Sequence, residues 1–283
     1  MRRAVPALSG EGEVFSASDR AAHRVLRLHA GLVYAFLYLP IVIVIIYAFN
    51  QSRLGQVWGG FSTRWFAAAF EDDTLLKAFR LSVLTAGANC LVATLLGTAA
   101  AVGLRNVAKR TRTAFDAFMY MALIVPEIVI AIASLLFFVT INFPLGPVAI
   151  VITHAVFNTA LVTLIVRARL AGMDRSLEEA SADLGASRWG TFRQVSLPQL
   201  FPAIVAGALL AFTFSFDDVI LSSFVSGPGS TTLPVEIFSQ LRFGLTPKIN
   251  VVAVITLSIT VAAIVAAQVL LRREAQLARD GGT

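Results

Sequence analysis

Three carboxylates lie inside stretches of sequence that are otherwise almost entirely apolar. Glu127 falls in the stretch 114–139, and the adjacent Asp217 and Asp218 fall in the stretch 200–225. A charged side chain is costly inside a membrane, so such acids generally mark a solute pathway or a specific pairing. Three acids without an equally central Lys or Arg favour an acidic lining that attracts a cationic solute.

A second interpretation makes the same acids structural, through pairing with Arg80, His154 or Asn158. Adjacent helix positions differ by about 100°, so Asp217 and Asp218 cannot both face one axis. His154 and Asn158 are four residues apart and share a helix face. No further ligand lies near them in the sequence, so interhelical hydrogen bonding is expected there and a metal site is not. The pathway and pairing interpretations both stay open.

Two further residues, Ser215 and Trp65, complete the candidate pathway residues, and a proline stands beside Glu127. Ser215 precedes the two aspartates by two and three positions, and we include it among the candidate pathway residues. Pro126 precedes Glu127 and is expected to kink its helix, because proline frees a backbone carbonyl. Trp65 is either a residue of the interfacial aromatic belt or a cation–π contact at an outer gate.

Composition identifies the kind of element that carries these residues. The 283-residue chain is 57% hydrophobic and 14% charged, whereas soluble domains contain about 25% charged residues. The net charge of +6 does not indicate nucleic-acid binding, because the basic residues flank the apolar runs. The single cysteine, Cys90, excludes an internal disulfide framework and, without Cys or His companions, a zinc site.

Six apolar stretches are long enough to cross a bilayer as helices, which need about 20 residues each. The sequence therefore predicts an all-α membrane protein. It predicts a polar N-terminal tail over 1–29, a transmembrane domain over 30–273 and a short C-terminal tail over 274–283. The predicted spans are 30–49, 81–104, 114–139, 144–166, 200–225 and 249–271, with a tight hairpin between the third and fourth.

The distribution of Lys and Arg predicts the orientation, since positive loops stay in the cytoplasm. Seventeen basic residues lie in the N-terminal tail, the 105–112 loop, the 167–193 segment and the C-terminal segment, against five in the intervening loops. Both termini are therefore predicted to be cytoplasmic.

The cytoplasmic loop over 170–199, called here the 170–199 loop, has internal structure of its own. Ser176 and Glu179 have the spacing of a capping box, and Gly185 stands where a left-handed cap would end the helix. Ser187 can cap a second short helix, and Pro198 is expected to stop that helix before the fifth span. Small residues beside apolar anchors favour docking of another protein, although a helix lying on the lipid surface has the same pattern.

The loop contains Glu179-Ala180-Ser181, then Asp183 and Gly185, then Val195-x-Leu197-Pro198. This motif resembles the EAA loop of ABC-importer permeases, with Ser in place of the family's second Ala. The resemblance implies a coupling helix that docks in a groove of a partner ATPase. The chain has no Gly-x-x-x-x-Gly-Lys-Ser/Thr phosphate loop. ATP and Mg²⁺ are thus expected on the partner, with no cofactor bound by this chain and no enzymatic activity of its own.

Residues 215–247 and 125–132 resemble the second permease of spermidine/putrescine importers, as does nearly all of the chain from residue 30 onward. The resemblance implies the MetI-like fold of type I ABC importers in the bacterial inner membrane. It also implies a second, unlike permease, two ATPase copies and a periplasmic solute-binding protein.

Two alternatives to polyamine uptake are uptake of another solute by the same kind of permease and transport driven by an ion gradient. Permeases with the same loop carry iron, sulfate, phosphonate or thiamine, and the acids argue against an anionic solute. A secondary transporter driven by an ion gradient predicts an internal repeat. No convincing repeat relates residues 30–140 to 144–271.

Overall fold

The computed structural model describes residues 17–53, 57–242, 244 and 246–280 as a helical protein. Residues 1–16, and with them Arg2 and Arg3 of the predicted tail, lie outside the described residues. The helices are α1 Ala17–Ala48, α2 Arg64–Phe70, α3 Asp73–Gly103, α4 Lys109–Ile124, α5 Glu127–Thr140, α6 Pro147–Ala171, α7 Ser176–Asp183, α8 Arg188–Thr191, α9 Leu197–Phe216, α10 Ile220–Val225, α11 Leu233–Leu241 and α12 Pro247–Asp280.

A packed trio of long helices, α3, α6 and α9, forms the centre of the molecule. Close approach depends on glycines that face Val162 of α6. A Cβ atom at Gly97 of α3 would lie 2.7 Å from the Val162 Cβ, and one at Gly207 of α9 would lie 3.3 Å from its Cγ1. Helices in a bilayer associate largely through such tight backbone packing, because lipid tails are as apolar as the side chains.

The predicted third span is broken rather than kinked. Its halves, α4 and α5, meet at an angle of 104° around Val125 and Pro126. Val125 has extended backbone angles (φ −60°, ψ 130°), as expected for a residue that precedes proline. Proline also lacks the N–H that would continue α4. The expected kink at Pro126 is thus a sharp break, and Glu127 begins α5 instead of lying within a helix.

The predicted fifth span ends earlier than expected. The helix stops at Phe216, and the short helix α10 starts at Ile220. Asp217 and Asp218 therefore lie in a break between two helices, so the 100° helical spacing does not govern their directions. The prediction of one helix over 200–225 was wrong at this end.

Four helices among the described residues are long and apolar enough to cross a membrane, and α4 with α5 would make five. The sixth predicted span falls in α12, of which the part Pro247–Ala262 is apolar and packs against α1 and α9. The helix α1 begins at Ala17, inside the segment predicted to be tail.

Candidate functional site

The helix α7 of the 170–199 loop begins without the predicted capping box. Ser176 is already in the first turn, and Arg175 occupies the N-cap position without a side-chain hydrogen bond. Asp174 takes the capping role, since its Oδ1 accepts a hydrogen bond of 2.9 Å from the Ser176 backbone N–H. The pairing of Ser176 with Glu179 was wrong because an aspartate two positions earlier reaches the first free amide.

The predicted glycine cap of α7 is confirmed. Gly185 has φ +82°, the left-handed conformation that side chains disfavour. Its N–H donates to the Ala182 carbonyl (2.9 Å), and the next N–H, of Ala186, donates to the Ser181 carbonyl (3.1 Å). These paired bonds form a Schellman motif, which ends the helix and sets the direction of the chain that follows.

The second helix of the 170–199 loop starts as predicted and ends differently. Ser187 Oγ accepts a hydrogen bond of 3.1 Å from the Gly190 N–H and so caps α8. Pro198 does not stop the helix, because Arg188–Phe216 is one continuous helix of 29 residues. A π-helical segment over Phe192–Ser196 absorbs the change in hydrogen bonding, with the Leu197 N–H donating to the Phe192 carbonyl five residues back.

The outer face of the 170–199 loop is unusually apolar for a solvent-facing surface. The Leu184 side chain is 91% exposed and that of Trp189 is 69% exposed, with Trp189 packed on Phe192 at 5.5 Å between ring centres. The motif residues Glu179, Ala180, Asp183, Gly185 and Pro198 are also exposed, whereas Ser181 and Leu197 are partly buried. Large apolar side chains surrounded by polar residues mark surfaces that bind another protein or a membrane.

An ion pair that sequence reasoning missed lies beneath this surface. Glu178 accepts two hydrogen bonds from the Arg105 guanidinium (2.6 and 2.5 Å) and a third from the Ser196 hydroxyl (2.7 Å). From the sequence, Arg105 is only one of the basic residues of the 105–112 loop that predict its cytoplasmic side. The spacing of 73 residues between the partners gives no local signal of the contact.

The three acids differ in their surroundings. Asp218 is 8% exposed, and its carboxylate accepts from the Ser222 N–H (2.7 Å) and the Leu221 N–H (3.2 Å). Glu127, at the first turn of α5, and Asp217, directly after α9, are both exposed. The structure therefore separates one enclosed acid from two accessible ones.

His154 connects the enclosed acid to α9. Its Nε2 lies 3.1 Å from Asp218 Oδ2, and its Nδ1 lies 2.7 Å from Ser215 Oγ. The predicted interhelical hydrogen bonding of His154 is confirmed. Asn158 is buried one turn away, with its Oδ1 lacking a hydrogen-bond partner among the described residues. Arg80 forms no ion pair with these acids in the described part of the chain.

The structure brings four of the five candidate pathway residues together. Asp218 and Ser215 meet through His154, and the Asp218 carboxylate interacts electrostatically with both Glu127 and Asp217. Trp65 lies elsewhere. Its Nε1–H donates to the Asn50 carbonyl (2.9 Å), and the guanidinium of the neighbouring Arg64 stacks 4.6 Å from its ring centre.

Comparison with known proteins identifies the kind of molecule that carries this site. Residues 93–276 match the family described as binding-protein-dependent transport system inner membrane component. The match includes the whole 170–199 loop and all three acids. This chain belongs to that family of inner-membrane permeases.

Two relatives extend the similarity over most of the permease. The putrescine transport system permease protein PotI of Escherichia coli (strain K12) is 39% identical over 269 residues, covering 92% of this chain and 95% of the relative. The spermidine/putrescine transport system permease protein PotC of the same strain is 37% identical over 240 residues, covering 85% and 91%.

A solved structure supports the fold independently. The permease matches a chain of a bacterial ABC transporter involved in the import of the acidic polysaccharide alginate, with a TM-score of 0.73 and 15% sequence identity. The match covers 90% of this chain and 96% of the other. The MetI-like fold of type I importers is therefore shown, while the solute of that transporter says nothing about this one.

Proposed function

We propose that this permease is one of two unlike membrane subunits of an ATP-driven importer that takes up polyamines such as putrescine and spermidine. The observation that carries the proposal is the 39% identity to a putrescine permease over 92% of the chain. A similarity of that extent includes the membrane helices as well as the 170–199 loop. ATP hydrolysis is assigned to a separate ATPase, present in two copies, and solute delivery to a periplasmic binding protein.

The proposed topology has six spans with both termini in the cytoplasm. Lys and Arg are concentrated 17 to 5 on the side that holds the termini and the 170–199 loop. In this topology α4 and α5 together make the third span, and α12 supplies the sixth. The 104° break then leaves the α5 N-terminus and Glu127 inside the membrane region.

The 170–199 loop is the proposed contact with the ATPase. Leu184 and Trp189 supply exposed apolar anchors, and Ala180 lets a partner surface approach closely. The Gly185 cap fixes the angle between the two short helices. An ATPase groove would cover this apolar surface, which explains its composition without a lipid-bound helix.

Glu127 and Asp217 are the proposed cation-binding residues of the pathway. Both carboxylates are exposed, whereas Asp218 is held by His154 and two backbone amides. Putrescine carries two ammonium groups at neutral pH, and two separate carboxylates can attract both. Ser215 and Asp218, which are linked through His154, then have a structural role beside the pathway. Trp65 takes an interfacial position.

ATP hydrolysis by the assembled complex tests whether the permease works in an ATP-driven importer. The permease, its partner permease, the ATPase and the binding protein would be reconstituted in lipid, and phosphate release would be measured. Putrescine-loaded binding protein should stimulate hydrolysis above the rate seen with unloaded protein. Equal rates with both forms would contradict an importer coupled to this solute.

A further inference from the structure

The helix α7 is held to the rest of the permease mainly by polar contacts. None of its eight residues is buried, so it lacks the apolar face that normally attaches a short helix. A cavity of about 700 Å³ lies beside α7 and is lined by Arg105, Glu178, Trp189 and Phe192 among others. At its wall, the Glu178 carboxylate bonds to both Arg105 and Ser196.

Each partner of Glu178 belongs to a different membrane helix. Arg105 lies in the 3₁₀ turn Leu104–Asn106, which directly extends α3. Ser196 ends the π-helical segment that leads into α9, and it is only 5% exposed. A single carboxylate thus ties α7 to α3 and α9 at the same time.

The two membrane helices that Glu178 reaches are themselves firmly joined. The helices α3 and α9 pack against each other and against α6. Asn89 of α3 donates a hydrogen bond of 3.3 Å to the Ala211 carbonyl of α9. A displacement applied at α7 can therefore pass to α3 and to α9, and α9 ends directly before Asp217 and Asp218.

The charge of the Glu178 carboxylate strengthens its link between α7 and the two membrane helices. The Arg105 guanidinium holds the pKa of the Glu178 carboxyl below its usual value, with a further lowering by the Ser196 hydroxyl, against a smaller opposing effect of burial. The carboxylate is thus ionised at neutral pH. Bidentate, charge-assisted bonds of this kind are the strongest and most directional side-chain hydrogen bonds.

We propose that Glu178, through Arg105 and Ser196, is the positioning residue that makes the ATPase-docking helix move together with the membrane helices α3 and α9. The inference rests on the proposed function of the 170–199 loop. It adds a residue outside the motif, directly before Glu179, and assigns it a mechanical role.

The variant Glu178→Gln tests the proposal. The amide keeps the size of the side chain but removes the charge and presents an N–H₂ group to the guanidinium. We expect transported putrescine per ATP hydrolysed to fall about tenfold, the equivalent of losing hydrogen bonds to a charged group. The assembled amount of complex should stay normal. The double change Arg105→Glu with Glu178→Arg should recover part of the loss.

The chain offers a matched control in Asp116→Asn. Asp116 of α4 pairs with Arg167 of α6, and the two side chains are 26% and 20% exposed, close to 19% and 23% for Glu178 and Arg105. The control removes a similar arginine–carboxylate pair, but its carboxylate bonds to α6 instead of belonging to α7. A purely structural role for such pairs would make both variants lose assembly equally.

A second measurement tests the attachment without using transport. Backbone amide exchange over 176–183 should accelerate in Glu178→Gln and stay unchanged in Asp116→Asn, because only the first frees α7. Unchanged exchange, or a normal ratio of transport to ATP hydrolysis in Glu178→Gln, would overturn the proposal. Absence of ATP-dependent uptake in the wild type would instead contradict the proposed function, and amide exchange would still decide whether Glu178 holds α7.

Discussion

At the scale of single residues, the three acids Glu127, Asp217 and Asp218 have different surroundings and therefore different expected roles. Asp218 meets His154 and two backbone amides, whereas Glu127 and Asp217 keep exposed carboxylates. Residue type and apolar context located all three from the sequence. The difference in exposure between Asp217 and Asp218 depends on the break in the helix after Phe216. No feature of the sequence specifies that break.

The proposed pathway role of Glu127 and Asp217 is tested by replacing each with its amide. Glu127→Gln and Asp217→Asn should each lower the initial rate of putrescine uptake about tenfold, since each removes a charged partner of the solute. Assembly should be preserved, because neither carboxylate is enclosed. Glu71→Gln is the matched control, as Glu71 is an exposed carboxylate just after α2. Normal uptake in both single variants and in the double variant would refute the acidic lining.

Asp218→Asn should behave differently from these two variants. The buried carboxylate accepts from His154 and from two amides, so loss of its charge should destabilise the complex by about 1–3 kcal/mol. Thermal unfolding of the purified complex would show a lower Tm, with less assembled permease in the membrane. Unchanged stability together with lost uptake would instead place Asp218 in direct contact with solute.

At the scale of elements, hydropathy found the helices and missed where they bend. A long apolar run indicates that a segment lies in lipid, but it does not indicate whether the helix is straight. The helices α4 and α5 together are apolar and long enough for a span, although they meet at 104°. Pro126 is compatible with either a kink or a break, so packing decides between them. At Pro198 the prediction was wrong in the opposite sense, since a helix end was expected there and the helix continues. The π-helical segment before Pro198 accommodates the proline within the helix. The Gly185 cap was predictable, since a left-handed C-terminal residue has a strong sequence preference.

The Gly185 cap is tested with a pair of glycine variants. A Cβ atom would have free space at both Gly185 and Gly103, but only Gly185 has a positive φ. Gly185→Ala should thus cost about 1–2 kcal/mol in the local conformation and misdirect α8. We expect reduced stimulation of ATP hydrolysis by loaded binding protein, with normal membrane insertion. Gly103→Ala should retain wild-type stimulation, and an equal effect of both changes would argue against the cap.

Packing of the central trio is tested in the same way. A Cβ atom at Gly97 would lie 2.7 Å from the Val162 Cβ and 3.0 Å from the Thr159 carbonyl oxygen, whereas one at Gly87 of α3 would meet nothing within 4 Å. Gly97→Ala should destabilise the complex by about 1–3 kcal/mol through overpacking, seen as a lower Tm. Gly87→Ala should leave Tm unchanged. A normal Tm for Gly97→Ala would mean that α3 and α6 can separate without cost.

At the scale of the whole molecule, the permease has its accessible acids at helix breaks and its exposed apolar anchors on a separate loop. The helices α3 and α9 connect the two regions, and Glu178 attaches the loop to both. The sequence was sufficient for the fold class, the loop and the family. It was not sufficient for the long-range contacts Arg105–Glu178 and His154–Asp218, because their partners are separated by 73 and 64 residues.

Uptake of radiolabelled putrescine is the most direct test of the polyamine importer. Proteoliposomes would contain this permease with its partner permease and ATPase, ATP inside and loaded binding protein outside. The initial rate should require both ATP and binding protein, and excess spermidine should compete whereas sulfate should not. Putrescine uptake that follows an ion gradient without ATP, or ATP-dependent uptake of another solute with none of putrescine, would contradict the proposed function.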